Sequence, residues 1–425
     1  LIANTTGDTN TAVGTDALSA NTTADANTAV GKSAMAACTT GSKTTAIGFG
    51  AFANMTTGGN SVAVGWEAGS AMTTGLYNVF VGYECGHDIT TGQFNTALGY
   101  QALDTIQTVS DTTAIGAYAL GSLTNSGLYN TALGFKAGSS LTDGTRNVFI
   151  GWEAAISATT AERCVVIGQN AAQGVMTGDD NTIIGREAGY SITSGTRNTV
   201  VGALALDAST DANDNVAIGY QAGTAVISGS MNVFVGNSSG NAVTGGANNT
   251  FMGIDTGTSV TTGANNLFLG HDAGTSNGAG GAMTGGASNK IVLGDNAINS
   301  ANIQVDWTVH SDRRDKTDIE PFTHGLSWIN KLNPVTYRWD NRSDYENGTP
   351  DGTHKKPKLN LGLIAQDEHE VEKEHGYGDT LDNMLVSDLS DDGENYGMKY
   401  SKLVPILINA VKELSTKNDE LAAEI

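Results

Sequence analysis

A glycine that returns every 17 residues constrains this chain more than any other feature. It stands at positions 14, 31, 48, 65, 82, 99, 116, 134, 151, 168, 185, 202, 219, 236, 253, 270 and 294. Fourteen of these sixteen intervals are 17 residues, one is 18 and the last is 24. A second glycine lies seven residues earlier in 12 of the 17 copies, as at Gly58, Gly75 and Gly263. A fixed period of this length marks stacked supersecondary units, each unable to bury its apolar face alone.

Each copy carries a short strand. The residue before the repeat glycine is apolar in all 17 copies, from Val13 to Leu293, and the residue two earlier is Thr, Val, Leu or Ile. These two positions share a face, because strand side chains alternate. The residue between them points the other way and is apolar as well, as in Ala12, Ala63, Phe80 and Phe234. Two apolar faces imply burial on both sides. The expected arrangement has one face filling each coil and the other packed against partner chains along a shared axis. The glycines are expected to supply positive φ at the corners. Asn opens the strand in 12 copies, among them Asn78, Asn95 and Asn266, where stacked amides can bond along the coils. Seventeen coils at about 4.8 Å each would extend on the order of 80 Å.

Composition narrows the classes. A formal charge of −22 opposes binding to phosphate backbones or anionic lipid, so neither nucleic acid nor membrane insertion is expected. The three cysteines, Cys38, Cys85 and Cys164, form no CxxC and are expected to be buried filler rather than a disulfide framework or zinc site. All five prolines follow residue 306, and glycine falls from 47 before that point to 8 after it. The expected division is a repetitive shaft over 1–306, a second domain over 307–402 and a C-terminal helix over 403–425. In that helix Leu403, Ile406, Leu407, Ala410, Val411, Leu414 and Leu421 recur at helical spacing.

The residues that carry chemistry follow the shaft directly, in His310-Ser311-Asp312-Arg313-Arg314-Asp315-Lys316. Spacing alone leaves two readings, a serine–lysine pair or a polar loop with Ser311 or Asp312 as a cap. Further on come Leu361-Gly362-Leu363-Ile364-Ala365-Gln366 and Tyr400-Ser401-Lys402-Leu403-Val404. With the Ser-Asp-Arg-Arg-x-Lys opening, these segments resemble, in order, the C-terminal intramolecular chaperone of phage endosialidase tailspikes and tail fibres. That serine–lysine family cleaves itself, and the resemblance runs from about Ser311 to Ile425. It implies that Ser311 is the nucleophile and Lys316 the group that activates it, with the scissile bond adjoining Ser311 and so bordered by His310 or Asp312. A serine hydroxyl needs such a base, and a lysine serves only when its proton is removed by desolvation or nearby positive charge. Arg313 and Arg314 either supply that charge or pair with Asp312 and Asp315. The resemblance also implies a homotrimer and a trimeric coiled coil starting at Leu403.

The strand segment Asn60-Ser61-Val62-Ala63-Val64-Gly65 resembles the β-roll head repeats of trimeric autotransporter adhesins. The fold expected is therefore mainly β: a trimeric β-roll or β-helix shaft, then a small α+β chaperone domain leading into a helical coiled coil.

Other signals are weaker. His369 to His375 lacks the His-Glu-x-x-His order of a zinc site and reads as a solvated charged stretch. Ser387 to Glu394 lacks the ligand alternation of a calcium loop. No cofactor or metal is implied. Exposed aromatics such as Tyr77, Tyr129 and Trp152 suit glycan binding and turn packing equally.

The leading expectation is a phage tail fibre, located in the virion and assembled in the host cytoplasm, that cleaves off its own chaperone. It would meet other tail or baseplate proteins and a host receptor, a glycan or outer-membrane component. The alternatives are a bacterial trimeric surface adhesin and a polysaccharide-degrading tailspike whose enzyme lies upstream.

Overall fold

The computed structural model of the chain describes residues 1–105, 107–124, 127–275, 283–298, 300–304, 307–390 and 393–424. They fall into two units, one of residues 1–271 with 285–291, the other of 272–284 with 292–425.

The first unit is a β-solenoid. Every repeat contributes one three-residue strand, from β1 (Thr11–Val13) to β17 (Ile291–Leu293). Each strand pairs in parallel with the same position one coil on, so Ala12 lies opposite Ala29 and Phe251 opposite Phe268. The single 18-residue interval leaves register intact, with Thr113 opposite Thr131. Across the 24-residue interval Leu267 N still donates to Lys290 O at 2.9 Å. Of the Gly-rich insertion there, Ser276–Gly286, residues 276–282 lie outside the described residues.

The core is built from two complementary positions. The central strand residue is buried from Ala29 to Val292. It meets the residue four past the repeat glycine, and where one is large the other is commonly small: Ala46 with Phe52, Phe80 with Gly86, Phe234 with Gly240. A Cβ on Gly240 would lie 2.4 Å from the Phe234 ring. Where both are small, as in Ala63 with Gly69, rings of the adjacent coils, Phe52 and Phe80, fill the space, as close packing demands.

The two glycines of the repeat do different work. Gly82, at φ +145°, holds a left-handed corner, and a Cβ on it would also strike Gly99 O at 2.3 Å. Gly75, of the second set, has no such φ; it is small because Gly92 O lies 2.4 Å from where its Cβ would be. The expectation of positive φ at both is therefore corrected for the second set. Ordinary residues hold other left-handed corners, among them Thr9, Lys43, Tyr77 and Arg163 at φ 55–59°.

Asparagine closes the coils. Asn198 Oδ1 accepts from Asn215 N at 3.0 Å and Asn215 Nδ2 at 3.2 Å. Its Nδ2 donates to Asn181 Oδ1 at 3.1 Å and Ala212 O at 2.8 Å. All four bonds of a buried amide are made, and the pattern repeats through Asn266.

The other strand face, expected to pack against partner chains, has no cover from its own chain. Within one chain it is not buried: Val13, Ile47, Leu98, Leu133 and Met252 are exposed. The apolar row along the solenoid stands open in the single chain.

The second unit holds a small α+β fold. Its core joins Trp328, Val371, Val386 and Ile406, with Phe322, Ile329, Leu332, Tyr377 and Leu403 around them. Trp328 comes from α1 (Leu326–Ile329) and Val371 from α2 (Ala365–Glu374). Two antiparallel pairs flank the helices, β18 (Val335–Tyr337) with β19 (Asn360–Gly362) and β20 (Ser387–Leu389) with β21 (Tyr396–Met398). The long α3 (Leu403–Glu424) contacts α1. Glu413 Oε2 accepts from Leu326 N at 3.0 Å, placing a carboxylate on the open N-terminus of α1. Of the apolar residues expected on α3, Ile406 and Ala410 are buried, whereas Leu407, Val411, Leu414 and Leu421 are exposed. Ile425 lies outside the described residues.

Candidate functional site

The segment after the shaft folds on one capped turn. Residues Arg313–Asp315 form a single 3-10 turn, with Asp312 as its N-cap. Asp312 Oδ1 accepts from Arg314 N at 2.9 Å, and Asp312 Oδ2 meets Arg314 Nη2 at 2.6 Å. These bonds hold the Asp312 carboxyl below its ordinary range. Arg314 is thereby a salt-bridge partner. The turn is short because Lys316 N already donates to Arg313 O at 3.2 Å and the chain leaves extended at Lys316.

A turn of this length returns residues five apart to each other. Lys316 Nζ lies 2.5 Å from Ser311 Oγ. His310 Nε2 lies 3.4 Å from Asp315 Oδ2. Ser311 and Lys316 are both exposed in the single chain, Asp312 is half-buried, and the His310 side chain is almost wholly solvated. Hydroxyl and amine are thus within proton-transfer distance, and among the described residues of one chain nothing excludes water from them.

The remaining motifs meet inside the second unit. Tyr400 Oη accepts from Leu363 N at 2.9 Å, and a Cβ on Gly362 would come 2.6 Å from that oxygen. The Leu361–Gln366 segment and the Tyr400–Val404 segment are therefore docked through one phenol, with Gly362 kept small to admit it.

Helix α2 corrects the reading of a solvated charged stretch. Glu368, His369 and Glu372 are buried. Glu372 caps the edge of β20, accepting from Leu385 N, from Val386 N at 3.0 Å, from Ser387 N at 3.1 Å and from Ser387 Oγ. His369 Nδ1 meets Ser387 Oγ at 3.1 Å. His375 stacks on Trp328 at 4.7 Å. Nothing in the spacing of these residues announces burial; only the tertiary partners do. In the acidic stretch Ser387–Glu394, Asp391 and Asp392 lie outside the described residues. The three cysteines are buried and free, and burial pushes the Cys85 thiol up to about 12.

Residues 311–377 match the family model Peptidase_S74, described as chaperone of endosialidase. The match begins on Ser311. This family is one of self-cleaving chaperone domains, and the pairing of such a segment with a β-solenoid fits a tail fibre with a C-terminal chaperone. No curated protein and no solved structure matches the chain significantly.

Proposed function

We propose that the chain is a trimeric phage tail fibre whose C-terminal unit aligns three shafts and then cuts itself away next to Ser311. The observation that carries this reading is the start of the chaperone match on Ser311, a residue whose hydroxyl lies 2.5 Å from Lys316 Nζ. In the reaction, unprotonated Lys316 takes the Ser311 Oγ proton as the oxygen attacks the adjoining carbonyl carbon. The C–N bond then breaks, the proton passes to the departing amine, and water hydrolyses the ester. Because Ser311 and Lys316 are exposed in one chain, the lysine needs cover from a neighbouring chain before it can act as a base. Cleavage is then conditional on assembly.

Two open apolar faces support the trimer. One is the outer strand row of the solenoid, exposed at Val13, Leu98, Leu133 and Met252. The other is α3, where Val404, Leu407, Val411, Leu414, Asn418 and Leu421 fall at alternating three- and four-residue steps, the seam of a coiled coil. In the virion the shaft serves host attachment and contacts other tail or baseplate proteins.

The test is a denaturing gel of the full chain beside Ser311→Ala and Lys316→Ala. The wild type is expected to yield two fragments and both variants one intact band. A wild type that stays whole as an assembled oligomer removes the self-cleavage, and a Lys316→Ala that cuts normally removes the dyad.

A further inference from the structure

The corner next to the repeat glycine carries an aromatic row that the fold does not require. The residue after that glycine is Phe49, Trp66, Tyr83, Tyr100, Phe135 and Trp152 in six of seven neighbouring coils, and Tyr220 alone further along. In the coil between Tyr100 and Phe135 this position is Ala117, and its neighbour Tyr118 takes the place in the row. Elsewhere the same corner closes with Thr15, Gln169, Arg186, Ala203 or Asn237, so an aromatic there is no condition of coil formation. The rings do not serve as core either: Trp66 and Trp152 are each 47% exposed.

The rings occupy seven neighbouring coils, and they touch in two runs, Phe49 with Trp66 and then Tyr83 through Trp152. Phe49 stacks on Trp66 at 4.2 Å, and Tyr83 on Tyr100 at 5.2 Å. Tyr118 stands across the row, at 67° to Tyr100 and 84° to Phe135, and Phe135 leads on to Trp152. Beside the rings, at the next position, stand Glu67, Glu84, Gln101, Lys136 and Glu153. Gln101 Nε2 already donates to Glu84 Oε2 at 2.7 Å, and Lys136 and Lys32 lie over the Phe135 and Phe49 rings, so three carboxylates and an amide outnumber the cations of this flank.

We infer that this track, seven coils long, binds an uncharged linear polysaccharide laid along the solenoid axis. Three observations select that occupant. Rings offer apolar contact to sugar C–H groups while the flanking carboxylates and amide take hydroxyls, and amphipathic rings suit such half-wet surfaces. The flanking carboxylates and the net charge of −22 disfavour anionic polymers. One ring per coil, repeated over seven coils, suits a periodic chain rather than a compact epitope. A contact between copies of this chain is the less favoured occupant, because the apolar strand row runs through all 17 coils while the aromatic row stops after seven. The inference deepens the host-attachment part of the proposed function and is independent of self-cleavage.

The experiment is affinity gel electrophoresis of the full Ser311→Ala chain through gels containing linear glucans, mannans or galactans, with hyaluronan as the anionic comparison. Retardation by at least one neutral polymer is expected. The combined Trp66→Ala, Tyr100→Ala and Trp152→Ala variant should weaken it at least 10-fold, whereas Tyr220→Ala, at the same corner outside the row, should leave it unchanged. Sedimentation velocity of each variant reports assembly. No retardation by any neutral polymer, stronger retardation by hyaluronan, or equal retardation of the triple variant each overturns the inference. So does dissociation of the oligomer in the triple variant, which would assign the row to contact between chains. Two gel bands or one from the cleavage test leave this result untouched.

Discussion

A buried carboxyl is cheapest to bury when it keeps its proton, and Glu368 is in that position. It is 1% exposed, and among the described residues only the Trp328 indole N–H faces it, outside good hydrogen-bond geometry. Its neighbour Glu372 accepts from the Val386 and Ser387 amides. Burial and then the Glu372 charge push Glu368 up to about 7, the Trp328 indole N–H opposing. Other ionisable groups around it include His369, beside Ser387 and Tyr396, and His375, His324 and Tyr377, packed on Trp328. An acid with a raised folded pKa binds its proton more tightly folded than unfolded, so stability falls as pH rises from about 4.5 towards about 7. Full ionisation costs roughly 3 kcal/mol by the free energy of one pH unit. In the full chain, hydrogen exchange at Val386 and Ser387, corrected for the intrinsic pH effect, should lose protection between pH 5 and 8. Glu368→Gln should flatten that loss and restore protection at pH 8; an unchanged profile would mean that Glu368 is not the group responsible.

At the scale of the element, one coil is legible in the sequence to the extent that its signals are periodic. The repeat glycine, the three-residue strand and the Asn that opens it all recur with the period, and each has one physical meaning. The left-handed corners at Tyr77 and Arg163 were not legible, because ordinary side chains take that conformation only when neighbouring coils hold them there. Gly75 was legible as important but not as to why: close approach of Gly92 O, not φ, excludes a side chain. Near the candidate site, Ser311 and Lys316 could be read from a motif, whereas Glu368, His369 and Glu372 were hidden inside a polar helix whose partners come from β20. The Asn column gives the test of the coil. Asn198→Ala removes the acceptor of Asn215 N and the donor to Ala212 O, about 1–3 kcal/mol for each buried group left unpaired. Since a coil contacts only its neighbours, amide exchange should rise across residues 181–232 and stay unchanged near Asn78 and Asn95. A uniform rise along the shaft would show that the solenoid opens as one unit.

For the whole molecule, the register of the solenoid alters what a chaperone is needed for. Every strand pairs with one only 17 residues away over most of its length, so closing coils within a chain is local and fast. In the proposed trimer the difficulty lies between chains. Seventeen coils with similar outer rows, such as Val13, Ile47, Leu98 and Leu133, let two chains associate one coil out of step while losing only an end contact. A self-similar interface specifies register weakly. A single non-repeating unit at one end removes that degeneracy, and in the proposed trimer α3 supplies it: Asn418 interrupts the apolar seam of Val411, Leu414 and Leu421, a device that fixes register in coiled coils. Residues 1–291 alone should therefore associate into species spread over several sedimentation coefficients, whereas the full Ser311→Ala chain gives one. Asn418→Leu in that background should strengthen association yet broaden the distribution. A single sharp species from residues 1–291 would place register in the shaft itself and leave the C-terminal unit without that task.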